Sequence, residues 1–132
     1  MQDNAKIKVG ISIGDLNGIG CEVILKTFED PKILELCTPV VFASSKTLAQ
    51  QQQQLGTQLS YQGVASASEA IEGKFNVVNI WKEIPEVVFG KETKIGGEYA
   101  LKSLEAATKA LKEGAIDVLV TAPINKSNIQ SE

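Results

Sequence analysis

Two short stretches of this sequence carry residues whose types and spacing could hold a small anion. The first is GDLNGIG at residues 14–20, and the second is TAPINK at residues 121–126. In the first, glycines let the backbone take positive φ and approach a ligand closely, and Asp15 and Asn17 add polar groups. A helix that opens near Gly20 offers free N–H groups and a partial positive charge, which suit a phosphate or a carboxylate. The bland alternative is a glycine-lined strand-to-helix turn in which Asp15 serves as a local cap. In the second, Pro123 stiffens the turn, Thr121 and Asn125 supply hydrogen-bonding groups, and Lys126 supplies the charge. A lysine there can clamp an anion, donate a proton once desolvated, or simply open a helix at the surface.

The spacing of the first stretch is neither GxGxxG nor GxxxxGK[ST], so it is not a Rossmann fingerprint or a P-loop. The sequence contains no histidine. Ser-His-Asp and Cys-His nucleophile schemes, HExxH zinc sites and imidazole acid–base chemistry are therefore excluded within these 132 residues. Catalysis here would rest on carboxylates, lysine, hydroxyls and backbone amides, or on groups from outside the stretch.

The elements around the two motifs read as alternating strands and helices. Residues 6–13 alternate, with Ile7, Val9, Ile11 and Ile13 on one side, as a strand does. Residues 22–29 carry Val23, Ile24, Thr27 and Phe28 at helical spacing, and Asp30-Pro31 ends that helix before a short second one at 32–36. Residues 39–43 form an apolar run suited to a strand buried on both faces. Ser44 or Ser45 can cap a helix running to Leu55, with Gly56 as its stop; the glutamines at 50–54 read as its solvated face. Residues 59–61 and 75–81 read as strands, and 82–95 as a loop or hairpin arm. Residues 97–113 make the clearest helix, with a stripe of Ala100, Leu101, Leu104, Ala107, Thr108 and Leu111 closed by Gly114. A buried strand at 116–120 then leads into the second motif. This alternation predicts an α/β fold: a mostly parallel sheet with helices on both faces. Ligands of such sheets sit outside the carboxyl ends of strands, where both motifs fall.

Composition narrows the class. The net charge of −3 and the absence of a basic patch argue against a nucleic-acid partner. No apolar run approaches the ~18 residues of a membrane span, and the N-terminus lacks the build of a signal peptide. Cys21 and Cys37 are not spaced as CxxC and are expected to be reduced, consistent with a cytoplasmic protein.

Taken together, the two motifs resemble a specific family. KVGISIGDLNGIGCE at residues 8–22 is similar to the GDPAGIGPE signature of the 4-hydroxythreonine-4-phosphate dehydrogenases, and DVLVTAPINK at residues 117–126 is similar to their second signature. The GGEYA helix opening at 96–100 and the distance between the motifs fit as well. Leu16 and Cys21 stand where the family has prolines, which implies a looser first loop but removes no charge. The resemblance implies an isopropylmalate/isocitrate dehydrogenase-like fold, of which residues 1–132 would be the N-terminal α/β portion, incomplete as it stands. It implies an oxidation of a phosphorylated hydroxy-amino acid, 4-phosphooxy-L-threonine, by NAD, followed by decarboxylation, in vitamin B6 synthesis. A divalent metal cation would act as Lewis acid, and the full-length enzyme would be a homodimer. By motif position, Gly14, Asp15, Asn17 and Gly18 would lie near the cofactor, Thr121 and Asn125 near the substrate, and Lys126 would be the catalytic candidate. The family's metal-binding histidines follow its second signature, so no metal ligand is expected in this chain, and the portion alone is expected to be inactive. Two alternatives stay open: a freestanding module that binds an anionic metabolite without turnover, and a family relative acting on another hydroxy acid.

Overall fold

A computed structural model describes residues 6–13, 20–81 and 94–121, with the backbone alone at 20–21 and 94–96. Strand β1 (Ile7–Ser12) leads to helix α1 (Gly20–Phe28), short helix α2 (Pro31–Leu36) and strand β2 (Cys37–Ala43). Helix α3 (Ser45–Leu55), strand β3 (Gln62–Val64), a single 3-10 turn (Ala67–Glu69) and strand β4 (Asn76–Asn79) follow. The long helix α4 (Lys94–Lys112) then delivers the chain to strand β5 (Val118–Thr121). The five strands form one sheet in the order β3-β4-β2-β1-β5, and every pairing is parallel. The α/β expectation holds.

Local chemistry explains the boundaries. Asp30 caps α2 by accepting the Lys32 N–H, with Pro31 in the first turn where a missing N–H costs nothing. Ser44 caps α3 through the Thr47 N–H, and Gly56 ends it at φ 74°, a left-handed conformation that suits glycine. Pro39 sits inside the central strand β2, an unusual place for a residue without an N–H. Its carbonyl faces the β4 side, where β4 begins only opposite Val40, so no ladder bond is lost. The buried Asn76 side chain fills that corner: its amide donates to the carbonyls of Pro39, Ile71 and Lys74, and its oxygen accepts the Ile71 N–H.

Both faces of the sheet are covered. On one, Ile11, Ile13, Val41, Ala43 and Val77 pack against Ile24, Leu25 and Phe28 of α1 and Leu48 of α3. On the other, Val40, Phe42 and Val78 pack against Ala107 and Ala110 of α4 and against Ile116. Burial of a side chain such as Leu25, with no exposed surface, contributes about 1.5–3 kcal/mol. Gly10 faces α4's connection to β5, where an added Cβ would overlap the Ile116 side chain.

Five sequence expectations need correction. The strand expected buried at 116–120 is β5, which begins at Val118, and Val118 and Val120 are exposed because β5 lies at the edge of the described sheet. In α1 the buried face is Ile24, Leu25 and Phe28, while Val23 is exposed and Thr27 bonds back to the Val23 carbonyl. In α4 the buried face is Tyr99, Ala100, Ser103, Ala107 and Ala110, whereas Leu101 and Leu111 are exposed. Small residues let this helix lie close to the sheet, so the larger leucines turn outward. The glutamine run is not simply solvated. Gln51 is fully buried, and Gln52 donates to the Leu59 carbonyl and accepts the Leu59 N–H, pinning the chain beyond the helix. Residues 59–61 form no strand; the pairing segment begins at Gln62, and Tyr61 instead donates its hydroxyl to the Ser45 carbonyl. The reading of residues 82–95 as a loop or hairpin arm lies outside the described residues at 82–93, and at 94–95 the chain is already in α4, which starts three residues earlier than its periodicity suggests.

Candidate functional site

Strands β1 and β5 are parallel neighbours, and their last paired residues are Ser12 and Thr121. The first motif leaves the sheet just beyond Ser12, and Thr121 is the first residue of the second. The topology therefore brings the departure points of two stretches, more than a hundred residues apart in sequence, to one carboxyl edge. The chain winds outward from β1 to β2 on one side and returns to add β5 on the other. The edge between β1 and β5 thus flanks the place where the winding changes sides, the usual binding crevice of open parallel sheets.

Among the proposed site residues, Thr121 is described: it ends β5 and is exposed. Gly14, Asp15, Asn17, Gly18, Asn125 and Lys126 lie outside the described residues. Ser12, near the start of the first motif, is buried, and its hydroxyl has no hydrogen-bond partner among the described residues.

Sequence reading missed Ser103. Fully buried on α4, it accepts the Ile13 N–H at 2.7 Å and donates to the Phe42 carbonyl at 2.5 Å. Its signal was present: Ala100, Ser103, Ala107 and Ala110 recur at helical spacing as a small-residue face, and a serine inside that face must find a partner. Farther along the same edge, Trp81 follows β4. Its indole N–H donates to the Thr47 hydroxyl at 2.9 Å, and its ring meets Tyr99 edge-on with centroids 4.6 Å apart. The Lys102 ammonium lies 4.7 Å from the centre of the Tyr99 ring. These contacts tie the start of α3, the end of β4 and α4 into one frame behind the edge.

The perturbed titratable groups lie elsewhere. Glu22 at the start of α1 pairs with Lys26 at 2.7 Å, and this exposed contact raises the lysine pKa. Cys37 opens β2 at the opposite, amino edge, where burial pushes its thiol up against a smaller opposing effect from Lys6. Among the described residues no group of histidine, cysteine or carboxylate side chains could hold a metal ion. No described helix is long and apolar enough to cross a membrane. A cavity of about 260 Å³ lies under α4, lined by Phe42, Val78, Ile80, Ser66, Lys109 and Ala110 among others, and it does not reach Ser12 or Thr121.

Comparison with known proteins fits this edge-centred architecture. A 4-hydroxythreonine-4-phosphate dehydrogenase of Bacteroides thetaiotaomicron is 48% identical over all 132 residues, which span 36% of its length. A Clostridium botulinum protein, provisionally named a D-threonate 4-phosphate dehydrogenase, is 30% identical over 96% of this chain and 39% of its own. The crystal structure of a 4-hydroxythreonine-4-phosphate dehydrogenase from Burkholderia phymatum superposes with a TM-score of 0.85 at 27% identity, over 96% of this chain and 39% of that one. The chain thus spans little more than a third of the length of the relatives it matches. The family model of the pyridoxal phosphate biosynthetic protein PdxA matches residues 35–132, and the chain belongs to the PdxA family.

Proposed function

We propose that residues 1–132 form the N-terminal α/β portion of a two-domain dehydrogenase that oxidises 4-phosphooxy-L-threonine with NAD, followed by decarboxylation, in vitamin B6 biosynthesis. The observation that carries this reading is the Ser12–Thr121 register, which sets side by side, in a PdxA-family fold, the two strand ends at which the signature stretches begin. The 48% identity to the Bacteroides enzyme supports the choice of substrate.

In this reading the first stretch, with Gly14, Asp15, Asn17 and Gly18, approaches the cofactor. Thr121 and Asn125 contact the substrate, and Lys126 is the catalytic candidate. A divalent cation, when bound, polarises the alcohol and then the new carbonyl as a Lewis acid. Among the described residues no side-chain group could hold it, and in this reading its ligands come from other segments of the protein. The working enzyme is a cytoplasmic homodimer. The part played by the described residues is positional: β1 and β5 present the motifs side by side, and α4 braces the strand ends behind them.

The test is the conversion of 4-phosphooxy-L-threonine to carbon dioxide with formation of NADH. It is run with the 132-residue chain and with the longest product of its gene, each given NAD and a divalent cation. Turnover by a longer product and none by the 132 residues supports the proposal. Turnover by the 132 residues alone overturns the assignment of the metal site to other segments. Absence of turnover by both overturns the enzyme reading and favours the freestanding binding module. A second reading, a relative acting on another phosphorylated hydroxy acid, is favoured by the similarity to the Clostridium protein. Faster oxidation of D-threonate 4-phosphate than of 4-phosphooxy-L-threonine would select it.

A further inference from the structure

We propose that Ser103 is a positioning residue that sets where the first motif leaves the sheet. The proposal rests on the reading of the β1–β5 edge as the ligand site.

The strand register shows which groups its hydroxyl joins. Strands β1 and β2 pair from Ile7–Cys37 to Ser12–Phe42. In a parallel ladder the Ser12–Phe42 pair is closed on this side by the Ile13 N–H facing the Phe42 carbonyl. Ser103 stands between those two groups, accepting from the first and donating to the second. A side chain of α4 therefore bonds both groups of the last β1–β2 rung, one residue before Gly14.

A serine or threonine inside a helix ordinarily bonds back to its own preceding turn. Thr108 of α4 does so, donating to the Leu104 carbonyl at 2.8 Å, and Thr27 of α1 does the same. Ser103 instead reaches partners 61 and 90 residues away. Because it has no exposed surface, water cannot take over either bond. Its hydroxyl thus fixes the separation of two strand ends at the edge that both motifs leave. A displacement of about 1 Å at a reacting group can cost about a hundredfold in rate, so the relay bears on ligand geometry as well as on stability.

The experiment is amide hydrogen exchange by NMR on the 132-residue chain, as parent, Ser103→Ala and Ser103→Thr. It is combined with titration of each by NADH and, separately, by inorganic phosphate. Ser103→Ala is expected to speed exchange at Ile13 by about tenfold more than at Val41 and Val77 in the core. Whichever probe binds the parent should bind the alanine variant about tenfold more weakly, with Ser103→Thr restoring both properties. Uniform acceleration at Ile13, Val41 and Val77 would overturn the proposal, since that is loss of global stability. Unchanged affinity with local loosening would overturn it as well. If the parent binds neither probe, the ligand-site reading fails, while the exchange pattern still decides whether Ser103 governs this strand end. If neither variant folds, the parent decides: a slowly exchanging Ser103 hydroxyl proton close to the Ile13 amide supports the relay, and its absence overturns it.

Discussion

The Ser103 hydroxyl and the Ile13 amide, 90 residues apart in sequence, meet at 2.7 Å at the carboxyl end of β1. With the onward bond to Phe42, this contact joins the helix that precedes the second motif to the strand that precedes the first. It makes the geometry of the edge a property of the whole sheet-and-helix unit, and the consequences of packing around it can be measured.

Gly10 lies where α4's connection to β5 presses on the sheet, and a methyl there would overlap Ile116, which is 2% exposed. Gly10→Ala is expected to destabilise the fold by about 1–3 kcal/mol in urea denaturation. Adding Ile116→Val, which removes the nearest atom, should recover part of that loss. Equal stability of parent and Gly10→Ala would show that the connection gives way freely.

Asn76 satisfies three carbonyls and one N–H at the corner where Pro39 leaves the sheet edge of β2 without a donor. Asn76→Ala leaves these groups unpaired in a buried place and is expected to cost about 2–4 kcal/mol. The denaturation midpoint should fall without a change in its slope. A loss under about 1 kcal/mol would mean that the turn at 71–74 repairs itself.

Trp81 is the single tryptophan, and its indole N–H ends on the Thr47 hydroxyl, which also bonds the capping Ser44. Thr47→Val keeps the volume but removes both bonds. We expect a loss of about 1–3 kcal/mol and a shift of the native tryptophan emission. Unchanged emission together with unchanged stability would contradict the described contact.

Cys37 gives a pH dependence. Burial raises its thiol pKa in the folded state above the ordinary value of 9.0. The folded state therefore keeps the proton where the unfolded chain has lost it. This contribution is fully present below pH 9.0 and is lost as pH rises through the higher folded value. The Cys37→Ala variant should show a weaker fall in stability above pH 9.0 than the parent, measured by urea titration across that range. A parallel fall in the two proteins would refute the assignment.

What the sequence by itself determined is what local chemistry dictates. Alternation in residues 6–13 marked a strand, and the apolar run at 39–43 marked one buried on both faces, since a strand covered on both faces needs apolar residues throughout. Ser44 and Gly56 marked the ends of α3 because cap geometry depends on neighbouring residues alone. The paired motifs TAPINK and GDLNGIG, through their family resemblance, pointed to the PdxA family, to which the chain belongs.

Tertiary structure decided what depends on distance and contact area. Helical period fixed the apolar positions of α4 but not which of them would face the sheet. Packing against the sheet buried the small Ala100, Ser103, Ala107 and Ala110, and left Leu101 and Leu111 outward. The same packing buried Gln51, within a run that composition marks as solvated. The Ser12–Thr121 register and the Ser103 relay join residues scattered along the chain, so only the assembled sheet could bring them to one edge.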